Sequence, residues 1–137
     1  MFSKEERSSF KYWFAHWCAF QMVALNCKCW KFRFLLHDIE KPWLKLILRD
    51  YYKVQKWHRK HNKHHVEYFI EHNTADYLAM VIDWECSRFT KEAQPLNARQ
   101  ELEKVLNRKE LTDFQKDRLE YNVKKVLNDL QLSNILL

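Results

Sequence analysis

Not one glycine occurs among the 137 residues of this chain, and that absence narrows its possible folds more than any residue it contains. Glycine takes a positive φ without steric cost, and hairpin turns and β-bulges lean on it. A chain without it is expected to be all-α, a compact bundle of about six helices. Helix ends must then be made by Asn, Ser, Thr or Asp, and Asn26, Asn62, Asn73, Asn97 and Asn107 are available. The two prolines, Pro42 and Pro95, read as helix starts. The length suits one domain, and 47% hydrophobic with 15% aromatic residues is enough for a real core rather than a disordered chain.

Apolar spacing divides the chain into six stretches. The first runs from about Ser3 to Leu25, with Phe10, Trp13, Trp17, Phe20 and Ala24 on one face and His16 on its edge. A short one runs from Trp30 to about Asp38 and carries the apolar run Phe34-Leu35-Leu36. The third follows Pro42, its stripe Trp43, Ile47, Tyr51, Val54, His58 and His61 holding one face throughout. His61 to His72 reads as a loop or broken helix. The fourth, from Thr74 as cap to about Phe89, has Leu78, Ile82 and Phe89 as core candidates. Two amphipathic helices follow Pro95, about Ala98 to Leu106 and Thr112 to Leu130, the latter with Phe114, Leu119, Val123 and Val126 inside. This tail, about 95–137, holds no histidine. It is expected to cover the core or to support self-association, and the chemistry is expected before residue 92.

The net charge of +6 suits a phosphate-bearing ligand or a nucleic acid, and equally a solvated basic face. No signal peptide is visible, and the apolar run Tyr12 to Leu25 is too short to span a bilayer, so no membrane partner is expected. Cys18, Cys27, Cys29 and Cys86 form no secreted-type framework. They read as reduced, partly buried thiols of a cytoplasmic protein.

Seven histidines lie between His16 and His72. His37-Asp38 ends an apolar run, and Asp83 stands between Ile82 and Trp84. Buried polar groups of this kind need partners, and a divalent cation supplies one, since imidazole and carboxylate suit Mn, Fe, Ni, Co or Zn. Each element has a plainer explanation: His16 as a hydrogen-bonded core residue, His58 to His65 as a basic surface tract. The order of the elements on successive helices is what favours a shared site.

That order, His16, then His37-Asp38, then Asp83, resembles the H…HD…D pattern of the HD-domain metal-dependent phosphohydrolases, an all-helical superfamily. His37-Asp38-Ile39-Glu40-Lys41 looks like the HD-x-x-K version, in which the lysine faces a phosphate. His58, Asn62, His64 and His65 are similar to the extra histidines of two-metal members. Asn62-Lys63-His64-His65 with Asp83-Trp84-Glu85 looks like a family of small phage and bacterial HD-like proteins of unassigned function. The resemblance covers most of residues 10–92. It implies a first metal on His16, His37, Asp38 and Asp83, and a second, if present, on His58 and His64, with His65 interchangeable with His64. His61 stays open as ligand or core. Asp38 would ligate and orient water, and Lys41 would contact a phosphate, as could Arg88. Glu40 stands where a glycine often follows the HD doublet, and the G-Y-P motif of cyclic-dinucleotide phosphodiesterases is absent.

The function so implied is hydrolysis of a phosphomonoester, a phosphodiester or a nucleotide with one or two divalent ions. Two other readings stand beside it. One is a module that binds nucleic acid or a nucleotide through its six tryptophans and the basic tract Lys53 to His65. The other is a catalytically silent HD-like structural or interaction protein that keeps a metal for stability.

Overall fold

The structure is a computed structural model and describes residues 1–66, 72–91 and 97–130. Among the described residues six α-helices follow one another: α1 (Phe10–Asn26), α2 (Lys41–Leu48), α3 (Tyr51–His61), α4 (Thr74–Ser87), α5 (Ala98–Leu106) and α6 (Asp113–Asp129). Short 3-10 turns occupy Glu6–Ser8 and Phe32–Leu36. Among the described residues there is no strand, only an isolated bridge between Phe2 and Lys91. The all-α expectation holds. Expectations resting on Pro95 fall outside the described residues.

Polar side chains cap the helix starts. Ser9, Asp50, Asn73, Asn97 and Thr112 each accept a backbone N–H at the start of α1, α3, α4, α5 and α6. The last three form reciprocal capping boxes with Asp76, Gln100 and Gln115. Asn73, not Thr74, therefore caps α4. Where the backbone must turn left-handed, Lys28, Asp38 and Arg49 take φ near 55° despite their side chains.

α4 is the central element. Its Tyr77, Met80 and Val81 pack with Ala98, Leu102 and Val105 of α5 and Leu119, Val123, Val126 and Leu127 of α6. Its Ala79, Ile82 and Cys86 pack with Phe20, Val23 and Ala24 of α1 and with Phe34. A helix apolar on two faces belongs between two layers. The tail thus covers the core, the first of its two expected roles.

Several expectations fail. α1 begins at Phe10, not Ser3, because Ser9 is extended and caps it. The region Trp30 to Asp38 forms only a 3-10 turn, in which Phe34 is buried while Leu35 and Leu36 are exposed. The single helix after Pro42 is two helices, broken at Arg49 and Asp50. Trp43 and Ile47 are consequently exposed, and only Val54 and His58 of that stripe are buried. Phe10, Phe89 and Phe114 are exposed rather than core. No helix among the described residues is long and apolar enough to cross a membrane.

Candidate metal centre

The site lies where α1, the 3-10 turn, α3 and α4 meet. α1 carries His16 and α4 carries Asp83, 67 residues apart in sequence, with His16 Nε2 2.9 Å from Asp83 Oδ1. His37 and Asp38 follow the 3-10 turn directly. His37 stacks on Phe20 at 3.8 Å and reaches Asp83 Oδ1 at 3.1 Å. The left-handed backbone of Asp38 is held in place from outside, because the Trp13 indole N–H donates to its carbonyl at 2.8 Å.

Asp38 joins two halves. Its Oδ2 lies 3.7 Å from His16 Nε2 and 3.5 Å from His37 Nε2. Its Oδ1 lies 2.9 Å from His58 Nε2 and 3.2 Å from His64 Nε2. Donor atoms of His16, His37, Asp38 and Asp83 all lie within 4.8 Å of one another, as do those of Asp38, His58, His64 and His65. Ligands about 2.1 Å from one cation sit roughly 3–4 Å apart, so the spacing fits one ion per half.

The orphaned atoms point the same way. Asp38 Oδ1, His58 Nε2, His64 Nε2 and His65 Nε2 are buried, yet none has a partner in hydrogen-bond geometry among the described residues. Atoms this close but not aligned for a shared proton face a common point, and a cation there would satisfy all four. Buried His and Asp groups able to hold a metal ion are therefore present. The residues beside them fix the rings. The Nδ1–H of His58 donates to Glu40, which also accepts from Asn62 Nδ2 at 2.8 Å. His16 Nδ1 faces the Cys86 thiol at 3.8 Å, and that thiol donates to the Asp83 carbonyl. The Glu40 contact leaves the His58 Nε2 lone pair turned inward.

Electrostatics keep the carboxylates charged. Burial alone would raise Asp38, but His37, Lys41 and His58 together hold it well below the usual range. Asp83 is held down likewise, by the imidazoles of His16 and His37 acting against burial. Burial pushes His37 down to about 4 and His65 well below its ordinary value. His58 moves the other way: burial opposes its charge, but Asp38 and Glu40 raise it. The Lys41 ammonium is 2.7 Å from Asp38 Oδ2, and its pKa rises because that contact outweighs burial.

All six residues expected as ligands converge, and both His64 and His65 reach the second half. His61 does not: it is exposed, stacks on Trp57 at 4.2 Å and donates to the Trp57 carbonyl. Arg88 is a correction too, since its Nε lies 2.9 Å from the buried Glu85 and its guanidinium over Phe89. Sequence reasoning named Glu40, Asn62 and Trp13 but missed that they hold His58 and Asp38 in place. Asn62 follows His58 by one helical turn, a spacing that was legible. The reach of Glu40 to His58 was not.

His16 and Lys41 also form part of the wall of a cleft of about 730 Å³ lined by residues of α1, α2 and α3. No protein-family model, curated protein or solved structure matches this chain.

Proposed function

We propose that the protein is a metal-dependent phosphohydrolase of the HD type, hydrolysing a phosphomonoester or phosphodiester. One observation carries the reading: the two oxygens of Asp38 face two separate sets of imidazoles, while the opposite edge of the site opens on a cationic cleft. A bridging carboxylate between two nitrogen-rich half-sites is what a pair of divalent ions requires.

His16, His37, Asp38 and Asp83 would hold one ion, and Asp38, His58 and His64 or His65 the other. Bound there, a divalent cation of the Mn, Fe, Ni, Co or Zn type would acidify a water towards a pKa of roughly 7 and offset phosphoryl charge. The chain supplies the rest. Asp38 and Asp83, both kept ionised, suit ligation, and Asp38 would orient a water by accepting its hydrogen bond. Lys41, on the cleft wall and paired with Asp38, would offset charge growing on a phosphoryl oxygen. Glu40 fixes the tautomer and orientation of His58.

The test is metal analysis of the purified protein, followed by hydrolysis of p-nitrophenyl phosphate and bis(p-nitrophenyl) phosphate with Mn, Ni or Co. Bound metal and turnover are expected, and Asp38→Ala should lose both. Equal metal content in Asp38→Ala, or no hydrolysis with any ion, would sink the reading.

A further inference from the structure

The cleft is built for more than a lone phosphate. Its volume, 730 Å³, falls in the range of sites that enclose a drug-sized ligand, roughly 300–1,000 Å³. Arg7, Lys41, Lys45 and Arg49 line it, and no carboxylate does so among the described residues. Lys41 is engaged by Asp38. The Nε of Arg7, by contrast, is buried and without a hydrogen-bond partner among the described residues. A buried guanidinium nitrogen left unmet is costly, and a phosphate oxygen is the acceptor that suits it.

The same cleft is walled by aromatics. Phe10 and Trp43 line it and are 65% and 66% exposed. The row continues beyond the cleft along α1: Phe10 and Phe14 lie near-parallel at 6.5 Å, and Phe14 and Trp17 at 6.3 Å. Flat rings left open beside cations accept the faces of unpaired bases. The row outruns a mononucleotide, and in a duplex the base faces are already stacked on one another. A protein partner would need acidic complements to the cations but would leave the parallel row of rings without a reason.

We propose that the cleft and the outer face of α1 bind a single-stranded nucleic acid, with bases on Phe10, Phe14 and Trp43 and a backbone phosphate on Arg7. Only the expectation that a phosphate of the strand reaches the His16 and Lys41 edge rests on the hydrolase reading; binding of the strand does not.

The full chain, kept in chelator so that no hydrolysis intervenes, is titrated against labelled DNA and RNA single strands of about 12 nucleotides, read by fluorescence anisotropy. Saturable binding that weakens steadily with salt is expected. Phe14→Ala and Trp43→Ala, both at exposed positions, should each weaken it roughly tenfold while helical circular dichroism is unchanged. Arg7→Gln should lower affinity and reduce the salt slope by about one. The proposal is overturned by equal affinity for the matching duplex, by a mononucleotide that competes as well as the strand, or by aromatic variants that bind normally. A concentration-dependent dimer abolished by Phe14→Ala would assign the aromatic face to a second copy and overturn it as well. Strand binding in chelator, with no phosphoester cleaved in any metal, would instead remove the hydrolase reading and leave this one standing.

Discussion

Glu40 reaches across 18 positions of sequence to hold the His58 ring. Its backbone is helical, with φ −75°, so nothing there demands glycine; the left-handed residue is Asp38 itself, with φ 55°. The side chain is then free to hold His58 and Asn62. Replacing a partner of this kind typically weakens metal affinity about 10- to 100-fold. Glu40→Ala should do so in a chelator competition, with the metal-free fold intact; unchanged affinity would deny Glu40 that role. The shifted imidazoles predict a pH response of the metal-free protein. An unfolded chain protonates His37 and His65 near pH 6.5, whereas the folded chain resists, His37 down to about 4. Stability is therefore lost as pH falls from about 6.5 towards 4, with His37 alone contributing roughly 3 kcal/mol. Asp38 and Asp83, depressed when folded, extend that loss below pH ~4. His58, raised, acts oppositely, stabilising at low pH and losing that effect as pH rises through its folded pKa. Two lowered rings outweigh one raised ring, so the melting temperature in chelator should drop between pH 7 and 4.5; a level profile would contradict the arrangement.

At the scale of elements, the break between α2 and α3 matters most. The stripe from Trp43 to His61 has continuous helical spacing, and periodicity alone reads it as one rod. Arg49 turns left-handed, and Asp50 then caps α3 by accepting from Tyr52 N–H at 2.9 Å. The reorientation buries Val54 and His58 and leaves Trp43 on the cleft. Asp50 is a capping residue type, but apolar residues at helical spacing on both sides of it outweigh that one local signal, whereas the caps of α4 to α6 stand where the apolar spacing itself begins. Asp50→Ala should cost about 1 kcal/mol. Because α3 carries His58, the same substitution should loosen the second half-site before the first, a sequence that stepwise metal titration of wild type and variant can resolve.

Taken whole, the molecule is two apolar layers joined by α4, with the polar centre set at one end of the α1 to α4 contact. Met80, fully buried between the layers, has no room to be replaced: Met80→Ala should cost roughly 2–5 kcal/mol in chemical denaturation, and a cost below 1 would mean the layers are not close-packed. By itself the sequence determined the helical class, through the absence of glycine and the spacing of apolar residues. The six expected donors follow from the resemblance of the His and Asp order to the HD pattern, not from spacing or burial. Only the tertiary structure decided how those donors divide, that His61 stays outside, and that Arg88 turns to Glu85 instead. Periodicity is a local property of the backbone, whereas which side chains share one cation depends on crossings between helices up to 67 residues apart, and no local pattern encodes a crossing.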